Sequence, residues 1–197
     1  MYYPKIVFRI ILSGIALLPA QNIKAQNLDI NLLESINPQH PNSFIWKTAS
    51  ATTYPIAFSL PAGIWISGAA NHNKKTEQQA YEIMASALIA GVGAQSLKIV
   101  FNRPRPFEKY TTVYPYKIET DNSFPSGHTS VAFATATSLA IIYKKWYIVV
   151  PAYAWASGVG YSRLYLGEHY PSDVLAGAAV GAGSAVISHW ISKKIFK

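Results

Sequence analysis

The sequence predicts an all-α fold, a helical bundle of five to six membrane-spanning helices. Three observations lead there. Half of the residues are hydrophobic and only 13% are charged, against roughly 25% charged in soluble domains. The apolar residues form long blocks rich in Ala, Gly, Leu and Ile, with no sustained period-two alternation and too much length for ordinary strands. The lysines collect between those blocks, at alternate ends.

The first block, Ile10 to Ala20, follows Lys5 and Arg9 and is followed by small or polar residues. That layout predicts a signal peptide or an N-terminal membrane anchor over residues 1–25, with one domain over 26–197. "LDINLLESI" next predicts a short amphipathic helix lying on a surface. Five helical segments follow: Thr48 to Ala70, Ala80 to Phe101, Thr129 to Tyr143, Trp146 to Tyr161 and Val174 to Ile191. At 1.5 Å per residue they span or nearly span a ~30 Å hydrocarbon layer. Pro55, Pro61 and Pro151 are expected to kink or delimit them. The small residues of Gly177-Ala-Ala-Val-Gly181 and of Ala87 to Gly93 suit close helix packing. Threading the chain in and out puts Lys5/Arg9, Lys74/Lys75, Lys144/Lys145 and Lys193/Lys194/Lys197 on one face, the cytoplasmic one by the positive-inside rule.

The opposite face receives three loops, "KIVFNRPRPFEKY", "SFPSGHTS" and "SRLYLGEHYPSDV". The net charge of +8, spread in small clusters, gives no continuous basic stripe and excludes nucleic acid as a partner. With no cysteine, a thiolate metal site and a Cys nucleophile are excluded too. What the loops collect suits phosphate. Lys98, Arg103, Arg105 and Arg163 collect in these loops, and several such fixed cations can neutralise a phosphate dianion. A helix beginning at "PSGH" offers free N–H groups, with Gly127 for close approach and the Ser126 hydroxyl as a donor. His128 and His169 can divide the work of nucleophile and general acid. Pro171 in a first helical turn sets His169 just before the helix and Asp173 inside it. Asp173 can then fix the imidazole tautomer and leave the other ring nitrogen free to attack.

These residues resemble the pattern of the type 2 phosphatidic acid phosphatase (PAP2) superfamily, which also includes bacterial acid phosphatases and vanadium haloperoxidases. The pattern is Lys-x6-Arg-Pro, Pro-Ser-Gly-His and Ser-Arg-x5-His-x3-Asp. Here it is filled by Lys98 with Arg105-Pro106, by Pro125-Ser126-Gly127-His128, and by Ser162-Arg163 with His169 and Asp173. The resemblance implies that His169 attacks phosphorus to form a phosphohistidine, with Asp173 orienting it. It further implies that His128 protonates the leaving oxygen, and that Lys98, Arg105, Arg163, Ser126 and the Gly127 backbone hold the phosphate. No metal and no other cofactor is implied. The expected substrates are phosphorylated lipids, as monoesters or diphosphates, and the expected place is a bacterial cytoplasmic membrane with the active site facing the periplasm. Rival readings are a secreted soluble acid phosphatase, a vanadate-dependent haloperoxidase and a non-catalytic lipid-binding protein.

Outside the pattern, His40, His72 and His189 carry no comparable context. Arg103 and Lys109 read as surface charges of a basic loop, Arg103 also as an attractor of anions, and Glu168 as a rim or hydrogen-bonding residue. Tyr110, Tyr114 and Tyr116 read as interfacial anchors.

Overall fold

The computed structural model describes residues 22–196, so the expected signal or anchor over 1–25, and the domain boundary it sets, lie for the most part outside the described residues. Eight helices follow in order: α1 (Asn22–Ile36), α2 (Phe44–Ala51), α3 (Thr53–Ala70), α4 (Lys74–Phe101), α5 (Pro106–Lys109), α6 (Gly127–Tyr143), α7 (Trp146–Tyr165) and α8 (Pro171–Ile195). The all-helical class is as the composition predicts. The "LDINLLESI" stretch lies within α1, and its buried Ile30 and Leu33 pack with Val113, Leu164 and Tyr170.

α6 is the centre of the bundle and packs against α8, α7, α4 and α3. Its sequence explains the position. Val131, Ala132, Ala134, Thr135, Ala136 and Ser138 are all buried, so nearly every side of the helix faces protein. Small residues let neighbours approach closely, and the hydroxyls are satisfied locally. Ser138 Oγ donates to Ser86 Oγ at 2.7 Å, and Ser86 Oγ donates to the Ile83 carbonyl at 2.8 Å. The tightest seam is with α8. A Cβ added at Gly181 would lie 2.3 Å from the Ser130 carbonyl oxygen, and one at Gly177 would lie 2.7 Å from that of Ser126. Here Gly is demanded by backbone proximity. Gly181→Ala must push α6 and α8 apart, and is expected to destabilise the fold by about 1–3 kcal/mol. Thermal unfolding in detergent checks this, with Gly183→Ala, where a Cβ meets open space, as control.

The segment from Thr48 to Ala70 is not one helix. It breaks at Thr52, which closes α2 and opens α3. Thr52 Oγ1 donates to the Ala49 carbonyl at 2.8 Å and accepts from Trp155 Nε1 at 3.1 Å, so a contact from α7 fixes the break. Pro61 and Pro151 lie inside helices and do not end them.

Two helical stretches, Lys74–Lys109 and Pro171–Ile195, are long and apolar enough to cross a membrane. α3, α6 and α7 are 18, 17 and 20 residues long, and their Ser, Thr, Gly and Tyr content makes them less apolar. On the outside of α3, α4 and α8 large apolar side chains stand exposed, among them Ile66, Val92, Ile99, Val100, Leu175, Val186 and Ile187. Contiguous apolar surface of this kind needs a non-aqueous neighbour. Each of α4, α6 and α8 carries a predicted site residue near one end and lysines at or just beyond the other.

Candidate active site

The site forms where the C-terminal end of α4 meets the N-terminal ends of α6 and α8 and the C-terminal end of α7. Lys98 sits in the last turn of α4, and Asn102 ends that helix in the left-handed conformation, releasing the chain toward Arg103 and Arg105. Ser126 caps α6, and Pro171 begins α8 with Tyr170 as its cap. The two helix starts are joined, because the Ser126 N–H donates to the Asp173 carbonyl at 3.0 Å.

Lys98, Arg105, Gly127, His128, Arg163 and His169 all line one cavity of about 140 Å³, with Tyr54, Glu119 and Asp121 among its other walls. Thus six of the eight residues singled out from sequence share a single wall. Asp173 stands behind His169, fully buried. Ser126 is fully buried as well, and its Oγ accepts from Thr129 Oγ1 at 3.0 Å within the helix start. Of the first N–H groups of α6, that of Thr129 is capped by Ser126 Oγ at 3.5 Å, while those of Gly127 and His128 precede the first intrahelical acceptor.

The cations are held by carboxylates that the sequence reading left out. Asp121, in the loop before α6, takes Lys98 Nζ on Oδ2 at 2.8 Å and Arg105 Nη2 on Oδ1. Burial pushes the Asp121 carboxyl up, but the bonds from Lys98 and Arg105 outweigh it and hold it down at about 2. Arg105 also donates through Nη1 to the Glu168 carbonyl at 2.9 Å. Arg163 Nη1 donates to Ser50 Oγ at 2.7 Å, and Nη2 lies 3.4 Å from Glu168 Oε2 and 3.8 Å from Glu119 Oε1. Of the two readings of Glu168, rim or hydrogen-bonding, the second fits: its Oε1 accepts from the Lys117 N–H at 3.1 Å, and the residue is 1% exposed and lies within 3.6 Å of both Arg105 and Arg163. Burial raises its pKa, and Arg163 opposes the rise.

His169 is 1% exposed. Its Nδ1 lies 3.5 Å from Asp173 Oδ2 and 3.5 Å from Ser123 Oγ, so that edge of the ring faces the carboxylate and Nε2 remains as the unpartnered nitrogen. Burial lowers its pKa to about 3, against the opposing pull of Asp173, and keeps the imidazole neutral. A neutral ring retains the lone pair a nucleophile needs.

Asp173 is fixed from several directions. Oδ2 accepts from Ser123 Oγ and from the Tyr170 N–H at 2.9 Å, and Oδ1 accepts from Arg103 Nη1 at 2.6 Å. Arg103 is thus a buttress rather than a surface charge. Its Nη2 reaches Asp29 Oδ2 at 2.8 Å, and its guanidinium lies 3.8 Å from the centre of the Tyr170 ring. Asp29 completes the arrangement by accepting from the Ser172 N–H at 2.8 Å. Arg103 touches no reacting atom, so its part is positioning. Arg103→Met is expected to lower kcat by about 10-fold with little change in KM. Arg103→Lys, which keeps a cation beside Asp173, should recover part of that loss, whereas a purely packing role would leave the two variants alike.

Comparison with known proteins gives the family of the chain. A model of the PAP2 superfamily matches residues 79–197. The chain is 47% identical over 79 residues to a lipid A 1-phosphatase of Porphyromonas gingivalis, covering 39% of this chain and 18% of that one. It is 33% identical over 116 residues to an undecaprenyl-diphosphatase of Sulfolobus acidocaldarius, covering 58% of this chain and 56% of that one. The chain thus spans about half or less of the length of these relatives. The crystal structure of Aquifex aeolicus LpxE superposes with a TM-score of 0.65 at 28% identity, covering 82% of this chain and 94% of the other.

Proposed function

Because the chain belongs to the PAP2 superfamily, we propose that it is a membrane-bound phosphatase acting on lipid phosphate monoesters or diphosphates through a phosphohistidine intermediate. The observation that carries this reading is the convergence of Lys98, Arg105, Gly127, His128, Arg163 and His169 on one cavity. Three fixed cations and a helix N-terminus suit a phosphoryl group whose charge is spread over its oxygens in the transition state.

The steps follow from the positions. The substrate phosphate enters among Lys98, Arg105 and Arg163, taking over interactions that Asp121 otherwise supplies. His169 Nε2 attacks phosphorus while Asp173, on the far side of the ring, stabilises the positive charge that develops there. The bond from phosphorus to the ester oxygen breaks, and His128, entering the step as the imidazolium with the proton it takes up beside the substrate dianion, gives that oxygen its proton. Water then attacks the phosphohistidine, His128 removes its proton, and inorganic phosphate and neutral His169 are restored.

A lipid substrate is supported by the apolar exterior of α3, α4 and α8 and by the two stretches long enough to cross a bilayer. Lysines at the ends of α4, α6 and α8 away from the cavity support a periplasmic site, since such clusters mark the cytoplasmic face. Purified protein in detergent, assayed against lipid phosphates with soluble phosphate esters as controls, tests the reading. Phosphate release from lipids is the expected result. Release confined to the soluble esters overturns the lipid assignment, and release from neither overturns the phosphatase.

A further inference from the structure

We propose that a groove beside the catalytic cavity is a subsite for a second phosphate, one carried by the leaving group. The proposal rests on the phosphatase reading and sharpens it: the favoured substrates are lipid diphosphates, and lipids whose leaving group is itself anionic.

The groove measures about 370 Å³ and shares His128, Arg163 and Glu119 with the catalytic cavity. His128 is the residue assigned to the leaving oxygen. Whatever follows that oxygen departs on the His128 side, into the groove. Lys47 of α2 and Lys117 of the loop before α6 stand in its walls. They flank Tyr116, with the ammonium groups 5.5 and 6.0 Å from the ring centre.

The charges there are unevenly matched. The carboxylates of the groove, Glu119 and Glu168, already face Arg163, and Glu168 also faces Arg105. Neither lysine has a carboxylate partner among the described residues. Lys47 Nζ donates only to the neutral Asn42 Oδ1, at 2.8 Å. Two unmatched cations next to the leaving-group position are arranged for an anion one bond or a few bonds beyond the scissile oxygen. Phe44 also lines the groove, and it and its neighbour Ile45 stand exposed, continuing the groove as apolar surface where lipid chains can lie.

With a diphosphate, an N–P bond forms between His169 and the terminal phosphorus as the bond from that phosphorus to the bridging oxygen breaks. The bridging oxygen keeps the electron pair and takes the His128 proton. The departing lipid monophosphate remains against Lys47 and Lys117 until it diffuses away, and water then cleaves the N–P bond to give inorganic phosphate. A simple phosphatidate instead loses an uncharged alcohol, diacylglycerol, which draws nothing from the lysines.

The test compares diacylglycerol diphosphate with phosphatidate, which share their tails, in the parent and in Lys47→Gln/Lys117→Gln. The ratio of kcat/KM for the diphosphate over phosphatidate is expected to fall about 10-fold in the double variant, as for two partly exposed charge contacts. A ratio that does not move overturns the subsite. Calorimetric binding of methylenediphosphonate against methylphosphonate separates this from the phosphatase reading. If the parent turned over neither lipid, that reading would fall, yet a diphosphonate preference lost in the double variant would still support the subsite. A preference retained by that variant, or absent from the parent, would overturn it.

Discussion

His169→Ala is expected to lower phosphate release by about 10⁴-fold or more, the scale on which nucleophile removal acts in enzymes that work through a covalent intermediate. The reason is geometric. The ring is buried and neutral, with one nitrogen turned to Asp173 and Ser123 and the other unpartnered on a residue that lines the cavity. No other described side chain combines these features. Rapid quench in alkaline detergent with a ³²P-labelled lipid phosphate provides the direct measurement. The parent should yield a base-stable, acid-labile phosphoprotein, and His169→Ala should yield none. A labelled phosphoprotein in the variant overturns the nucleophile assignment. Unfolding temperatures of both proteins separate lost chemistry from lost fold.

His128→Ala is expected to slow lipid turnover by about 10²–10⁴-fold, the usual weight of a positioned acid. The size should depend on the leaving group. An alkoxide departs poorly without a proton, whereas a nitrophenolate departs readily, so a nitrophenyl phosphate should lose far less in the first step. Water attack on the phosphohistidine also needs His128, and the variant should therefore release a burst of nitrophenol and accumulate phosphoprotein. Equal losses for both substrates, with no burst, would exclude the general acid. Tyr54 packs edge-on against His128 with ring centres 4.9 Å apart and so limits how far the imidazole can swing.

How much of this was legible in the sequence varies from residue to residue. The helices were legible because their apolar blocks are long and proline, glycine and lysine punctuate them. The break at Thr52 was not, since nothing local marks it and the contact that fixes it comes from Trp155 on another helix. Gly127, His128 and Asp173 could be singled out because helix starts have local signatures, such as Pro171 followed by Asp173, whereas Lys98, Arg105 and Arg163 stood out through the motif spacing of the family the chain resembles. Arg103, Asp29, Ser123 and Asp121 escaped for the opposite reason. Their meaning lies in partners distant along the chain, as when Asp29 receives the Ser172 N–H across 143 positions. A carboxylate beside three cations could be suspected from charge balance alone, and Asp121 might have been sought that way. For Glu168 the sequence left the rim and a hydrogen-bonding role open, because only the turn, which folds its side chain inward onto two arginines, decides between them.

The bond from the Ser126 N–H to the Asp173 carbonyl, with the glycine seam directly beneath it, has a consequence for how this protein can change. The joint that keeps α6 and α8 in register also sets the spacing between the backbone at the start of α6, proposed to receive phosphate, and the carboxylate behind His169, the proposed nucleophile. Architecture and chemistry share one set of atoms at that point, so neither can drift without the other. Variation is free instead in the outlying groove walls, at Phe44, Lys47, Tyr116 and Lys117, where the chain can alter what it accepts while leaving untouched how it reacts.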